Sequence, residues 1–299
     1  MELVQVEEIL ACLKGERTLF PYVRDGYSLQ LLRDYIGTGM AVSQLRQSVY
    51  AAFLAKPLVK QALAFAGKGF LKPEHIDWAL WEHSPLNFVL TLDQWGTDYA
   101  RSRHFRQLSR AGYQLVLQLN FANDHQQQYK RYIKSAGNAE FSYWAHPVVT
   151  DGSHETLAWA RIDVDFAANQ ALIEEVQSDW VRQVKQAWRE RVYADLPNYR
   201  QQVLKPYTEV WQEATLAAAI HLIRHDLGIR DVFYNSFATG NFMKGIEDDL
   251  PPRSLYTDLP KKFAFSLTDE APKFLQGLRQ TQKAQRKLAE GAHWFKLPH

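Results

Sequence analysis

The chain has 299 residues, 46% hydrophobic and 13% aromatic, enough for one large domain or two ordinary ones with a substantial core. Its 35 Lys and Arg against 33 Asp and Glu leave a formal net charge of +2, so no strong global field draws it to nucleic acid or an anionic membrane. The single cysteine, Cys12, excludes an intrachain disulfide and a cysteine-built zinc site, which fits a reducing compartment.

The N-terminus "MELVQVEEILACLKGER" alternates apolar and acidic residues and reads as an ordinary helix, not an export signal. No stretch is long and apolar enough to span a bilayer, and the longest apolar run, "ATLAAAIHLI", is interrupted by His221. These features point to a soluble cytoplasmic protein.

Residues 1 to 105 read as a helical N-terminal region. "YSLQLLRDYI", "VSQLRQSVYAAFLAKPLVKQALAFAG" and "PEHIDWALWEH" place apolar residues three and four apart, punctuated by Gly37, Gly39, Pro57 and Pro73. From Tyr113 the period becomes two. Leu115, Leu117, Leu119 and Phe121 share one face, while Gln114, Val116, Gln118 and Asn120 share the other. A polar helix capped by Asn123 or Asp124 follows and breaks at Gly137-Asn138. Three strand-like runs come next, "EFSYWAHPVV", "TLAWARIDVDF" and "ALIEEVQSDW", joined by turn-rich segments into an antiparallel meander.

Beyond Trp180 the pattern is helical through "VRQVKQAWRERVYADL". A clear amphipathic helix then runs from about Thr208 to Asp226 and closes at Gly228. The strand "RDVFYNSF", a short helix, a last strand around Phe263 to Leu267 and a charged C-terminal helix complete the chain. The fold class is α+β, with the helical region 1–105 followed by a mixed-sheet domain over 106–299.

The order strand, helix, three antiparallel strands, helices, strand, short helix, strand resembles the GNAT acyltransferase superfamily over residues 113 to 268. "WQEATLAAAIHLIRHDLGIRDVFYNSF" is similar to its third helix and fifth strand, and "GNFMKGI" with "PRSLYTDLPKKFAF" to its closing segments. The resemblance implies transfer of an acyl group from acyl-CoA to a small-molecule or protein amine. The fourth strand would lead to a helix whose N-terminus receives the pyrophosphate. One departure is plain: the segment after that strand holds no glycine, whereas close approach of backbone N–H groups to phosphate needs residues without a Cβ. The string "EEVQSDW" also resembles a Glu-x-Gln-Ser-Asp-Trp motif of large phage-borne polyvalent proteins.

Acidic residues are depleted in strands, so "QALIEEVQSDW" calls for a site, a solvated edge, or partners such as Arg161 or Arg182. A period of two places Glu175, Gln177 and Asp179 on one face, and Leu172, Glu174, Val176 and Ser178 on the other. The GNAT resemblance implies Glu175 as the base for the amine proton and Tyr256 as the acid for the departing thiolate. Asn235 and Ser236, at the end of a strand of an α/β unit, face a ligand crevice and join Gln177 and Ser178 as cofactor-binding residues.

No metal is expected. His221 and His225 lie four apart without the glutamate of a zinc-protease helix, and His125, His146 and His154 with Asp163 and Asp165 have no ligand spacing. The run Arg182, Lys185, Arg189, Arg191, Arg200 and Lys205, interleaved with Trp188, Tyr193 and Tyr199, can carry cofactor phosphates through side chains. It supports a second reading as well: a non-catalytic module that recognises nucleic acid or a protein partner through residues 181–205.

Overall fold

The computed structural model describes residues 1–13, 19–67, 69–96, 107–122, 125–133, 141–143, 145–149 and 153–299. Its strands are β1 (Leu19–Tyr22), β2 (Met40–Ala41), β3 (Phe70–Leu71), β4 (Leu86–Gly96), β5 (Tyr113–Phe121), β6 (Thr156–Asp165), β7 (Gln170–Gln177), β8 (Asp231–Asn235), β9 (Ser266–Thr268) and β10 (Trp294–Lys296). Its α-helices are α1 (Leu3–Leu13), α2 (Gly26–Ile36), α3 (Val42–Leu45), α4 (Pro57–Phe65), α5 (Pro73–Trp81), α6 (His125–Tyr132), α7 (Asp179–Glu190), α8 (Leu196–Tyr199), α9 (Lys205–His221), α10 (Phe237–Lys244), α11 (Asp258–Lys262) and α12 (Arg279–Lys287).

Eight strands form one sheet in the order β1-β4-β5-β6-β7-β8-β10-β9, and β2 pairs with β3 apart from it. Neighbours in the large sheet are antiparallel except β7 and β8, which are parallel and joined by α7, α8 and α9. That long crossover is what a parallel pair requires.

The α+β class holds, with corrections in detail. The first hundred residues are not all helical, because β1 and β4 belong to the large sheet. β4 pairs with β5 over nine positions, so the sheet crosses the boundary expected near residue 105. Phe88, Leu90 and Leu92 do alternate, but what makes them a strand is a partner beyond residue 112. Conversely, the described part of "EFSYWAHPVV" forms turns and bends; Pro147, which has no N–H for a ladder, stands in it. The proposed caps Asn123 and Asp124 and the break at Gly137-Asn138 lie outside the described residues. The long amphipathic helix divides into α9 and a π-helical turn, Leu222–Asp226, which Gly228 follows at φ 66°. β10, which pairs with β8 and β9, had no counterpart in the expected elements.

The two faces of the sheet differ sharply. Leu115, Leu117, Leu119 and Phe121 of β5, Ala158, Ala160, Ile162 and Val164 of β6, and Ala171, Ile173 and Val176 of β7 enter the main core. α9 adds Ala214, Ala217, Ala218 and Ala219, small residues that let a helix lie close to a sheet. Each fully buried Leu or Ile contributes about 1.5–3 kcal/mol. On the opposite face Gln114, Gln118, Asn120, Arg161, Asp163, Glu175 and Asn235 are buried as well, and buried polar groups need partners.

No described helix is long and apolar enough to cross a membrane.

Candidate functional site

The site begins with an irregularity in β7. Leu172 and Ile173 oppose Asp163 and Ile162, but the next paired residue is Glu175, opposite Arg161, and Glu174 has no opposite number. This is a β-bulge, and it cancels the alternation expected from sequence. Glu174 and Glu175, consecutive in the chain, both reach the polar face. The parallel pairing of β7 with β8 ends at Ile173 and Tyr234, immediately before the bulge. The ladder between the two strands therefore ends where the carboxylates stand, and there Asn235 Nδ2 donates to Glu174 O at 3.3 Å.

The two carboxylates have opposite surroundings. Glu175 accepts from Arg161 Nε at 2.6 Å and from Lys244 Nζ at 2.5 Å, and all three side chains are buried. Burial alone would push the Glu175 carboxyl up; the Arg161 guanidinium and the Lys244 ammonium outweigh it and hold the group down at about 2. Glu174 accepts four hydrogen bonds. Ser109 N–H (3.1 Å) and Gln114 Nε2 (2.9 Å) donate to one oxygen, and Ser109 Oγ (2.7 Å) and Asn235 Nδ2 (2.8 Å) to the other. Burial nevertheless raises its carboxyl above the ordinary value, against the pull of Lys244, Arg161 and Ser109. Neighbouring carboxyls with pKa values pushed apart are a mark of functional sites.

α10 delivers Lys244. Ser236 caps it by accepting from Thr239 N–H at 3.3 Å. Gly240 faces Asn235 so closely that a Cβ would come within 2.9 Å of the Asn235 Cβ, and Lys244 follows one turn later. The Lys244 ammonium lies 5.6 Å from the centre of the Tyr256 ring, and the Arg161 guanidinium lies 5.2 Å from that of Trp95.

Several buried polar atoms here have no hydrogen-bond partner among the described residues: Arg161 Nη1 and Nη2, Tyr256 Oη, Asn235 Oδ1 and Gln114 Oε1. Burial, and after it the charge of Glu175, push the Tyr256 phenol well above its ordinary value, so it remains a proton-bearing donor.

Of the residues singled out from sequence, Glu175, Tyr256 and Asn235 come together around Lys244. Gln177 is half-buried at the end of β7. Ser178 serves α7 as its cap, accepting from Val181 N–H at 3.1 Å and donating to Leu157 O at 2.5 Å. Arg161 was considered only as an ion-pair partner, which it is, and Arg182 likewise pairs with Asp179. Lys244, Glu174 and Ser109 were missed. A lone Arg inside the apolar run "TLAWARIDVDF" was the available signal for a buried charge.

A second constellation lies at the other end of the motif. Asp179, the first residue of α7, is buried, and its carboxylate meets His146 Nδ1 at 2.8 Å, while the His146 side chain is 26% exposed. A helix N-terminus favours that carboxylate, and the hydrogen bond fixes how the ring presents Nε2. His146 packs edge-on to Tyr143 and Trp159, two residues along β6 from Arg161. Trp180, the last residue of the motif, is buried and donates to Tyr199 Oη at 2.8 Å.

The histidines and aspartates weighed as a metal set are dispersed. His125 lies between Glu155 and Tyr199, whereas Asp163 and Asp165 both bind Arg110. No group of potential ligands among the described residues could hold a metal ion. Along α7, Arg182, Lys185 and Arg189 face outward, and the Arg200 guanidinium lies 4.5 Å from the ring centre of Trp188, which is 44% exposed. Tyr199 is buried and Tyr193 half-buried, so Trp188 is the ring of this run most open to solvent. The chain matches no protein-family model, and no curated protein or solved structure matches it.

Proposed function

We propose that the chain is a divergent GNAT-like enzyme that takes an acyl thioester where the ladder between β7 and β8 ends and passes its acyl group to an amine. One observation carries this reading. The only parallel pair in the described sheet ends at a bulge that turns Glu174 and Glu175 toward Arg161, Lys244, Tyr256 and Asn235. Ligands of open α/β sheets bind at the carboxyl ends of such strands. The succession of β5, α6, β6 and β7, then the helices, then β8 parallel to β7, supports the likeness in element order, with two strands after α6 where the resemblance expects three.

The local chemistry redistributes the roles. A carboxyl held at about 2 is a weak base, so Glu175 serves to hold Arg161 and Lys244 in place. The amine nitrogen attacks the thioester carbonyl, and the positive charge of the Lys244 ammonium favours the developing oxyanion. His146, oriented by Asp179, accepts the amine proton. As the C–S bond breaks, the proton that His146 took from the amine passes to the thiolate, while the Tyr256 phenol, pushed well above its ordinary value by burial, keeps its own proton and acts as a hydrogen-bond donor. Acyl-CoA phosphates would rest on Arg182, Lys185 and Arg189, because Ser178 and Asp179 already occupy the N-terminus of α7.

Titration of the purified protein with acetyl-CoA and a longer acyl-CoA should raise its melting temperature saturably. No shift with either would sink the reading.

The exposed Trp188 ring, with the half-buried Arg200 against it and the outward cations beside it, favours a second reading, a surface for single-stranded nucleic acid. Oligonucleotide binding that falls steeply with salt would support it, whereas undetectable binding at low salt would remove it.

A further inference from the structure

We infer that the unfilled end of Arg161 is a receptor for a carboxylate carried by the ligand. The guanidinium spends Nε on Glu175, and both Nη atoms, buried, have no partner among the described residues. Holding Glu175 does not require them. Lys244 already neutralises that carboxylate from its other oxygen, and a lysine in place of Arg161 would serve the same end. What arginine adds is a rigid planar pair of outer donors matching the two oxygens of a carboxylate. Leaving such donors buried and unmet is unfavourable, so they mark a place for an acceptor from outside the chain.

The surroundings select the kind of anion. Arg161 and Lys244 supply two positive charges, against Glu175 and the neighbouring Glu174. A planar monoanion disturbs that balance least, whereas a phosphate dianion would bring a second negative charge beside two buried carboxyls. The Tyr256 hydroxyl, buried and also unpartnered, senses the charges of Glu175, Arg161 and Glu174 and offers a further neutral donor. The Trp95 ring against the guanidinium adds a flat apolar wall.

This names a substrate class for the acyl-transfer site proposed above and rests on that site taking a ligand: one of the two reactants bears a free carboxylate. The test needs no acyl donor. The full chain is titrated with acetate, succinate and inorganic phosphate at fixed pH and ionic strength, with melting temperature and tryptophan fluorescence as readouts. A saturable response to a carboxylate, with phosphate weaker, is expected. R161K, which keeps a cation for Glu175 but loses the paired donors, should weaken binding by about tenfold or more. Y256F should weaken it by a smaller factor.

Absence of a saturable response to both carboxylates overturns the inference, as does tighter binding of phosphate or unchanged affinity in R161K. Should R161K fail to melt cooperatively, Y256F decides, and unchanged carboxylate affinity in that variant is fatal. Acyl-CoA binding without carboxylate binding would defeat this inference and spare the acyl-transfer reading. The reverse result would keep the carboxylate site and remove acyl transfer.

Discussion

The two faces of the central sheet are both buried, yet they are built on opposite principles. Beneath α9 the apolar face is filled by Leu115, Leu117, Leu119, Ile162 and Ile173, and each side chain adds to stability without needing a specific partner. Across the strands, Arg161, Glu174 and Glu175 are held by fixed hydrogen bonds, and unmet atoms remain. A buried ion pair is weak evidence for stability, since well-packed apolar residues do as well or better. The contrast teaches that the apolar face can hold the fold without specific partners, whereas the polar face depends on each partner being in place.

The sharpest way to separate the faces is through rate. H146Q should lower acyl transfer by about 10²–10⁴-fold, the usual worth of a positioned base. His146 is partly exposed, so the melting temperature should hardly move. An unchanged rate would remove His146 from the mechanism. D179N should show a similar loss, because Asp179 acts by orienting the ring.

Stability comes next. E175A strips the partner from two buried cations and should cost about 3–5 kcal/mol by urea unfolding. That falls within the roughly 2–5 kcal/mol expected for L117A on the apolar face. The decisive variant replaces Arg161, Glu175 and Lys244 together by methionine. If the face exists for chemistry, the triple variant folds with equal stability, or with a gain of about 1–4 kcal/mol, and loses ligand binding. A large loss of stability would make the ion cluster a structural device.

Acid gives a milder probe. The folded-state pKa of Glu175 lies below its ordinary value of 4.5, at about 2, so its contribution is fully present above the ordinary value. It is lost as pH falls from about 4.5 towards 2, when the proton that the unfolded chain takes up readily must also be taken up by the folded one. Wild type should therefore lose stability more steeply than E175Q across that window, as equilibrium unfolding at successive pH values would show. Parallel curves would mean that the two cations do not stabilise the carboxylate.

How much of this was legible follows from the same contrast. β5, β6, β7, β8 and α9 carry their period in local spacing, because one apolar face imposes it. β4 was hidden because its alternation becomes a strand only through pairing with β5. The polar face was harder still. "EEVQSDW" announced that carboxylates had a purpose, but a bulge is an offset between two strands, and no single strand records it. Lys244 lies 69 residues from Glu175, and that separation carries no pattern. His146 stood in a segment read as a strand, so its meeting with Asp179 could not be foreseen from spacing.

Ser178 yields the smallest effect and the finest distinction. The proposed GNAT likeness would give the start of α7 to the cofactor, whereas the geometry gives the Ser178 hydroxyl two internal tasks, capping Val181 N–H and donating to Leu157 O. A cap lost to alanine costs about 1 kcal/mol, which thermal or urea unfolding resolves. If S178A shows that loss with unchanged acyl-CoA affinity, the serine belongs to the scaffold, and phosphate binding falls to the outward cations of α7. If affinity drops while stability holds, the N-terminus of α7 is the anion site despite its neighbouring carboxylate. Asp179 would then have to turn away when the cofactor arrives, and the His146 pair would report it, because the imidazole would lose its orienting partner in the same step.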